Sequence, residues 1–294
     1  MKIGVGLPTA EVDGVTPLWT EVRDFALAVE QMGMDSVWVW DHFYYDPEDG
    51  SPVEGQHEAW TILSALAAVT ERVEVGTLVL CSNFREPGLV AKMAATLDEV
   101  SGGRLVLGLG AGWHDPEYDA FGFPKDHRVD RFEEALQIVS PLLDGRHVTF
   151  EGNYYTARDA FLTPAPRRRI PLLIACEGPR MLGLTARHAR SWNTAWYGAP
   201  DDRLREMFAA MDAAMVAVAR DPSEMAKTVG VTVRDPDAAS TGEEPSLAGS
   251  VEDLARAFDE YEALGAAHLI CGLEPTNEGS LVRLRAAMDL RRGE

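Results

Sequence analysis

Short apolar runs rich in Val, Ile and Leu alternate along the chain with longer stretches of helical period, and the pair recurs eight times. The pattern predicts strands at Lys2–Leu7, Ser36–Trp40, Val73–Val79, Arg104–Leu109, Pro171–Ala175, Ser191–Ala195, Thr228–Val233 and Ala267–Cys271. Most of these runs lack polar alternation, as expected of strands covered on both faces. Strand and helix in strict succession is the signature of parallel βα units. The fold class predicted is therefore α/β: a single (β/α)8 TIM barrel spanning residues 1–294.

The helical stretches carry one-sided stripes. Leu18, Val22, Phe25, Val29 and Met32 recur at steps of four and three, and Gly33 closes that helix; Val90, Met93, Ala94, Leu97 and Val100 form another stripe, stopped by Ser101-Gly102-Gly103. Ser250 with Asp253 resembles a capping box ahead of Leu254, Phe258, Tyr261 and Leu264. Three segments break the plain repeat. A long loop, Ala111 to Arg128, follows strand four before a helix at Val129–Leu143, and long βα loops line barrel active sites. His147 to Tyr155 reads as a β-hairpin excursion before strand five, structural or at an oligomer contact. Asp235 to Gly249, rich in Pro, Ser, Gly and acid, reads as a lid or as plain disorder.

Composition changes this picture little. The 294 residues are 46% hydrophobic, which suits one large core, and no apolar run approaches the roughly 20 residues that cross a bilayer. Met1-Lys2 leads directly into the first strand, so a cytoplasmic protein without a signal peptide is expected. Cys81, Cys176 and Cys271 are odd in number and far apart, which predicts reduced thiols packed as small buried residues. A formal net charge of −20 argues against nucleic acid and anionic membranes. The one basic cluster, Arg167-Arg168-Arg169, reads as a solvated loop rather than a phosphate clamp.

Candidate chemistry sits at the strand ends. Strand two ends in Trp40-Asp41-His42-Phe43, placing a titratable pair at the catalytic rim; His42 can move a proton near neutral pH and Asp41 can fix a tautomer or present its backbone to a ring, with a capping pair as the alternative. Gly108-Leu-Gly-Ala-Gly-Trp113 fails as a dinucleotide fingerprint, because Trp113 stands where the third glycine belongs and no helix follows directly. Its glycines suit close approach of backbone to a flat ring, or a structural tight turn. Ala175-Cys-Glu-Gly178 ahead of Pro179 places a helix N-terminus where phosphate is attracted. No histidine pair has metal-ligand spacing, and no Ser or Cys has a nucleophile-elbow context.

Taken together, Gly33-Met-Asp-Ser-Val37 into Asp41-His42-Phe43, Val75-Gly-Thr-Leu-Val79 with Phe84-Arg85, Ala95-Thr-Leu-Asp98, and Ser101-Gly-Gly-Arg104 through Trp113 resemble the luciferase-like monooxygenase superfamily, and most closely its branch using the deazaflavin coenzyme F420. The resemblance covers nearly the whole chain and implies a barrel, usually dimeric, that binds a flavin or deazaflavin over the strand ends. It implies a non-prolyl cis peptide at Leu78-Val79 beside the ring, cofactor contacts at Asp41, His42, Ala111, Gly112 and Trp113, and contacts nearer the ribityl and phosphate portion at Ala175, Cys176, Glu177 and Gly178. His42 is then the proton donor or acceptor in hydride transfer between F420 and a small organic substrate. In the sugar-phosphate dehydrogenase members the position of Trp113 is acidic and that of Asp46 is tryptophan, and the acidic run Asp46 to Asp49 repels phosphate. A neutral or cationic substrate is expected, bound by Asp46, Trp113 and Asn193. Two other readings fit the same barrel: an FMN-dependent monooxygenase using oxygen, and a flavin-binding protein without catalysis.

Overall fold

Every apolar run forms its strand: β1 (Lys2–Gly6), β2 (Ser36–Val39), β3 (Glu74–Thr77), β4 (Leu105–Gly110), β5 (Leu172–Ala175), β6 (Ser191–Tyr197), β7 (Ala226–Arg234) and β8 (His268–Glu274). The computed structural model describes residues 1–47, 50–238 and 245–293. The sheet order is β5-β6-β7-β8-β1-β2-β3-β4, and β4 also pairs with β5, so the sheet closes as a (β/α)8 barrel. Nearly all strand positions are buried, as the absence of polar alternation implied. The chain falls into two compact units, residues 1–8, 19–38 and 176–294, and residues 9–18 and 39–175.

In the first unit, β1 pairs in parallel with β8 and β2, and β7 with β6 and β8. Helices α1 (Trp19–Gln31), α6 (Pro179–His188), α7 (Asp202–Ala217), α8 (Val251–Ala263) and α9 (Glu278–Arg292) belong to this unit. The Ser250 and Asp253 capping box forms as expected. The α1 stripe is corrected at both ends, since Leu18 is exposed ahead of the first turn and Met32 follows the last; Val22, Ala26 and Val29 carry the burial. β8 runs to Glu274, which leaves Cys271 inside the strand rather than at its end. Burial pushes that thiol up to about 12. A polar knot closes one layer of this unit: Trp38 Nε1 donates to Ser36 Oγ at 2.7 Å, and Ser36 Oγ lies 2.8 Å from His268 Nε2. Gly4 makes room for it, because a Cβ there would stand 2.1 Å from Ser36 Oγ.

In the second unit, β3 and β5 both pair in parallel with β4, beside α2 (Ala59–Val69), α3 (Pro87–Val100), α4 (Asp115–Phe121) and α5 (Arg128–Leu143). Strand three is interrupted. Gly76 faces Val106, but Leu80 faces Leu109, so four steps on one strand meet three on the other. The bulge holds the expected cis peptide Leu78–Val79. Thr77 Oγ1 donates to Gly108 O at 2.8 Å, and a Cβ at Gly108 would lie 1.9 Å from Thr77 O, so only glycine permits this approach. Arg104 donates to the carbonyls of Ala67 and Thr70 at the end of α2 and to that of Val73 just ahead of β3. The hairpin forms from Val148–Glu151 and Thr156–Ala160. Among the described residues, α4 inside the long loop and a ladder pairing Tyr44–Tyr45 with Glu54–Gly55 were not legible in the chain pattern. The first unit likewise holds a second non-prolyl cis peptide, Ala195–Trp196. Among the described residues no helix is long and apolar enough to cross a membrane.

His268 generates a testable consequence. Burial, aided by Lys2 and the N-terminus, pushes its imidazole down to about 3 from an ordinary 6.5. Between those values the unfolded chain binds a proton that the folded chain refuses, so stability is full above about pH 6.5 and falls as the pH drops toward 3. Urea unfolding at stepped pH should show a contribution approaching about 1.4 kcal/mol per pH unit in that window. His268→Gln is expected to flatten it; an unchanged slope in the variant would assign the acid sensitivity elsewhere.

Candidate active site

β2 ends at Val39, and the three residues that follow bring chemistry to the strand end. Asp41 is buried and saturated: Arg85 donates to both carboxylate oxygens, at 2.7 and 2.9 Å, and the Cys81 N–H donates at 2.8 Å. Arg85 also reaches Glu58 Oε1 at 2.6 Å, and Glu58 caps α2 by accepting from Trp60 N and Thr61 N. Burial pushes the Asp41 carboxyl up, while the guanidinium and the Cys81 N–H oppose it. Burial alone would lower Arg85; its two carboxylate partners outweigh that and hold it above its ordinary value. Asp41 therefore ties the end of β2 to the segment beyond the strand-three bulge, whose Leu78 N–H donates to Val39 O at 2.8 Å.

His42 is engaged through one nitrogen. Its Nδ1 lies 2.8 Å from Glu117 Oε2, and the other oxygen of Glu117 accepts the Phe43 N–H. The Glu117 side chain is only 1% exposed, against 22% for His42. Among the described residues Nε2 has no hydrogen-bond partner. Trp113 and His114 meet the imidazole edge to face, at 5.6 and 5.9 Å between ring centroids, and Tyr45 stacks on His114 at 5.3 Å. Trp113 is 62% exposed, unusual for so large an apolar side chain. Asp46 stands beside this group, its N–H donating to His114 Nε2 at 3.1 Å; Glu48 and Asp49 of the expected acidic run lie outside the described residues. Behind the group pack Phe43, Phe84, Phe121 and Phe123.

Gly112 has φ +80°, and a Cβ there would fall 1.9 Å from the Tyr118 hydroxyl. Tyr118 Oη and Asn83 Nδ2 both donate to Ala111 O, which fixes the turn after β4. At Gly110 a Cβ would meet Val79 Cγ2 at 2.7 Å, so both glycines have a reason internal to the fold. The expected ring-side residues, from Asp41 and His42 through Leu78 and Val79 to Trp113, thus all belong to the second unit. Ala175, which ends β5, belongs to it as well.

The other expected site residues belong to the first unit. Cys176 Sγ lies 3.3 Å from Thr185 Oγ1, and burial pushes its thiol up to about 11. Glu177 is paired with Arg203 at 2.6 Å and accepts from Thr194 Oγ1. Gly178 is the N-cap of α6 with no side-chain cap, and nothing lies within 4 Å of where its Cβ would be. Asn193 lies inside β6, buried, its amide donating to Thr228 Oγ1 at 2.9 Å. Arg167, Arg168 and Arg169 pair with Glu99, Asp98 and Asp144 in the second unit, consistent with the loop reading. Residues 239–244 of the expected lid lie outside the described residues; Arg283 holds its two feet by donating to Arg234 O and Gly249 O. Among the described residues no cluster of His, Cys, Asp or Glu could hold a metal.

The model of the luciferase-like monooxygenase family matches residues 1–240. The chain belongs to that family. Among its curated relatives, the F420-dependent glucose-6-phosphate dehydrogenase of Microbacterium testaceum (strain StLB037) is 36% identical over 195 residues, 65% of this chain and 57% of the relative. Pyrimidine monooxygenase RutA of Cronobacter sakazakii (strain ATCC BAA-894) is 33% identical over 141 residues, 45% of this chain and 40% of the relative. The chain spans about half the length of the curated relatives it matches. Among solved structures, an F420-dependent secondary alcohol dehydrogenase in complex with an F420-acetone adduct superposes with TM-score 0.83 over 99% of both chains at 21% identity, a likeness of fold.

Glu117, Arg85, Glu58, Tyr45 and His114 do not stand out in the chain pattern. The Asp115-Pro116 pair, a common helix opening, was the available signal for α4 and hence for Glu117 at its third position. Removing Arg85 leaves Asp41 buried without its cation. Arg85→Met is expected to cost about 3–5 kcal/mol in urea unfolding; a loss below about 1 kcal/mol would show that the pair is not holding the strand end.

Proposed function

We propose that this member of the family is an F420-dependent oxidoreductase that moves a hydride between the deazaflavin and a small uncharged or cationic organic substrate, with His42 moving the coupled proton. The observation that carries the proton role is His42 itself, anchored through Nδ1 and open at Nε2 beside an exposed Trp113. Several curated relatives are named as F420-dependent, which supports the cofactor.

The residues present suit that group. The uncapped N-terminus of α6 at Gly178, with Glu177 neutralised by Arg203, fits a phosphate-bearing tail. Asp41, His42, Leu78, Val79, Ala111, Gly112 and Trp113 would hold the ring, and Ala175, Cys176, Glu177 and Gly178 the tail. When bound, a 5-deazaflavin exchanges a hydride at a ring carbon and does not readily activate oxygen. In the oxidising direction Nε2 of His42 takes the proton from the substrate, and in reverse it returns it. Trp113 and Tyr45 offer ring faces that pack on an apolar substrate and exclude water, while Asp46 adds negative charge that disfavours a phosphorylated one. The nearby guanidiniums are already committed, Arg85 to Asp41 and Glu58 and Arg128 to Asp115. Asn193 would serve from within β6, where its amide is already bonded to Thr228.

The second reading, an FMN-dependent monooxygenase, draws support from the match to the pyrimidine monooxygenase. Titrating the purified protein with F420 and with FMN, under absorbance and an oxygen electrode, separates the two. Tight F420 binding without oxygen uptake is expected; FMN binding with oxygen uptake would favour the second reading. His42→Ala should retain cofactor affinity while turnover falls by about 10²–10⁴-fold, and undiminished turnover would remove His42 from the mechanism.

A further inference from the structure

We infer that Glu117 is the positioning residue for His42: its buried carboxylate fixes the imidazole as the Nδ1–H tautomer, so that Nε2 faces the reaction as a proton acceptor. The inference rests on the proton role proposed for His42. At the third position of α4, a glutamate ordinarily reaches back to cap its own helix, but no such bond forms, and the N-cap His114 supplies no side-chain cap either. Both oxygens instead reach across the sequence, one to the Phe43 N–H and one to His42 Nδ1 at 2.8 Å.

An ionised carboxylate only accepts. With Glu117 as that carboxylate, the inference places the hydrogen on Nδ1 and the lone pair of the neutral ring on Nε2, the nitrogen with no partner among the described residues. The Phe43 N–H, donated by the residue next in the chain, holds the second oxygen and so fixes the carboxylate plane against the ring. Trp113 and His114 pack edge to face on the imidazole and leave its rotation about the Cβ–Cγ bond little room. In the oxidising direction Nε2 would take the proton the substrate loses, while the bound deazaflavin would accept the hydride lost with it. The resulting imidazolium stands against the Glu117 charge, and the proton leaves to solvent from the same nitrogen. A carboxylate that served only to tether Phe43 would place no requirement on the histidine tautomer.

The two roles separate in an experiment on cofactor-free protein. Long-range ¹H–¹⁵N correlation of ¹⁵N-histidine protein reads each ring's tautomer, and the His42 signals are identified among the seven histidines by their loss in His42→Asn. At a pH where the ring is neutral, the parent protein should show the Nδ1–H tautomer. In Glu117→Gln the carboxamide oxygen stays on the Phe43 N–H and its NH2 turns to Nδ1, which must now accept; the spectrum should move to the Nε2–H tautomer. With F420 bound, kcat in that variant should fall about 100-fold or more while KM and cofactor affinity stay within about twofold. An Nε2–H tautomer in the parent protein would overturn the inference whether or not the variant folds, and so would an unmoved tautomer in Glu117→Gln. Because the tautomer is read without cofactor, a wrong cofactor assignment leaves this result standing, and a wrong tautomer leaves the cofactor titration standing.

Discussion

The buried carboxylate of Asp41 is the constraint on which the site depends. Four hydrogen bonds converge around it and its guanidinium partner: two from Arg85, one from the Cys81 N–H, and one from Arg85 onward to Glu58. Breaking such a pair leaves a charge uncompensated in the interior, which is why the arrangement fixes geometry even where its net stabilisation is small. It locks the end of β2 against the segment after the bulge. His42, the next residue, inherits that position.

The bulge and the glycines act on the same scale. Four residues opposite three displace Leu78 and Val79 from regular pairing, and Gly108 lets Thr77 close over β4. Gly112 gives its space to the Tyr118 hydroxyl, which holds Ala111 O and so sets where Trp113 begins. Each step converts a backbone requirement into the placement of one side chain. The ring group of His42, Trp113, His114 and Tyr45 is the outcome, carried on a short helix and a short ladder that pack against an aromatic cluster.

Much of this was legible in the chain. The strands follow from apolar runs without alternation, because burial on both faces leaves a composition signal that needs no partner to read. Asp41, His42 and the glycine turn stood out for a different reason: titratable residues and glycines at strand ends invite a site, and the family resemblance pointed to the same positions. Glu117 did not, since a glutamate after Asp-Pro resembles any helix N-terminus until the fold brings it to His42, 75 positions earlier. Arg85 stood in a motif of the resemblance without a role for the same reason. The bond from the Asn193 amide to Thr228 inside β6 was likewise not legible in the chain, since it joins residues 35 positions apart.

The central claim is that a proton handled by His42 accompanies a hydride delivered to or from a deazaflavin. Its most direct measurement is isotopic: reduced F420 carrying deuterium at C5, incubated with the protein and a panel of small uncharged and cationic organic acceptors under air, with products read by mass spectrometry. The expected outcome is a reduced product carrying one deuterium on the carbon that received the hydride and no oxygen from air. A product that contains an atom of molecular oxygen, with the deuterium released to water, would contradict it.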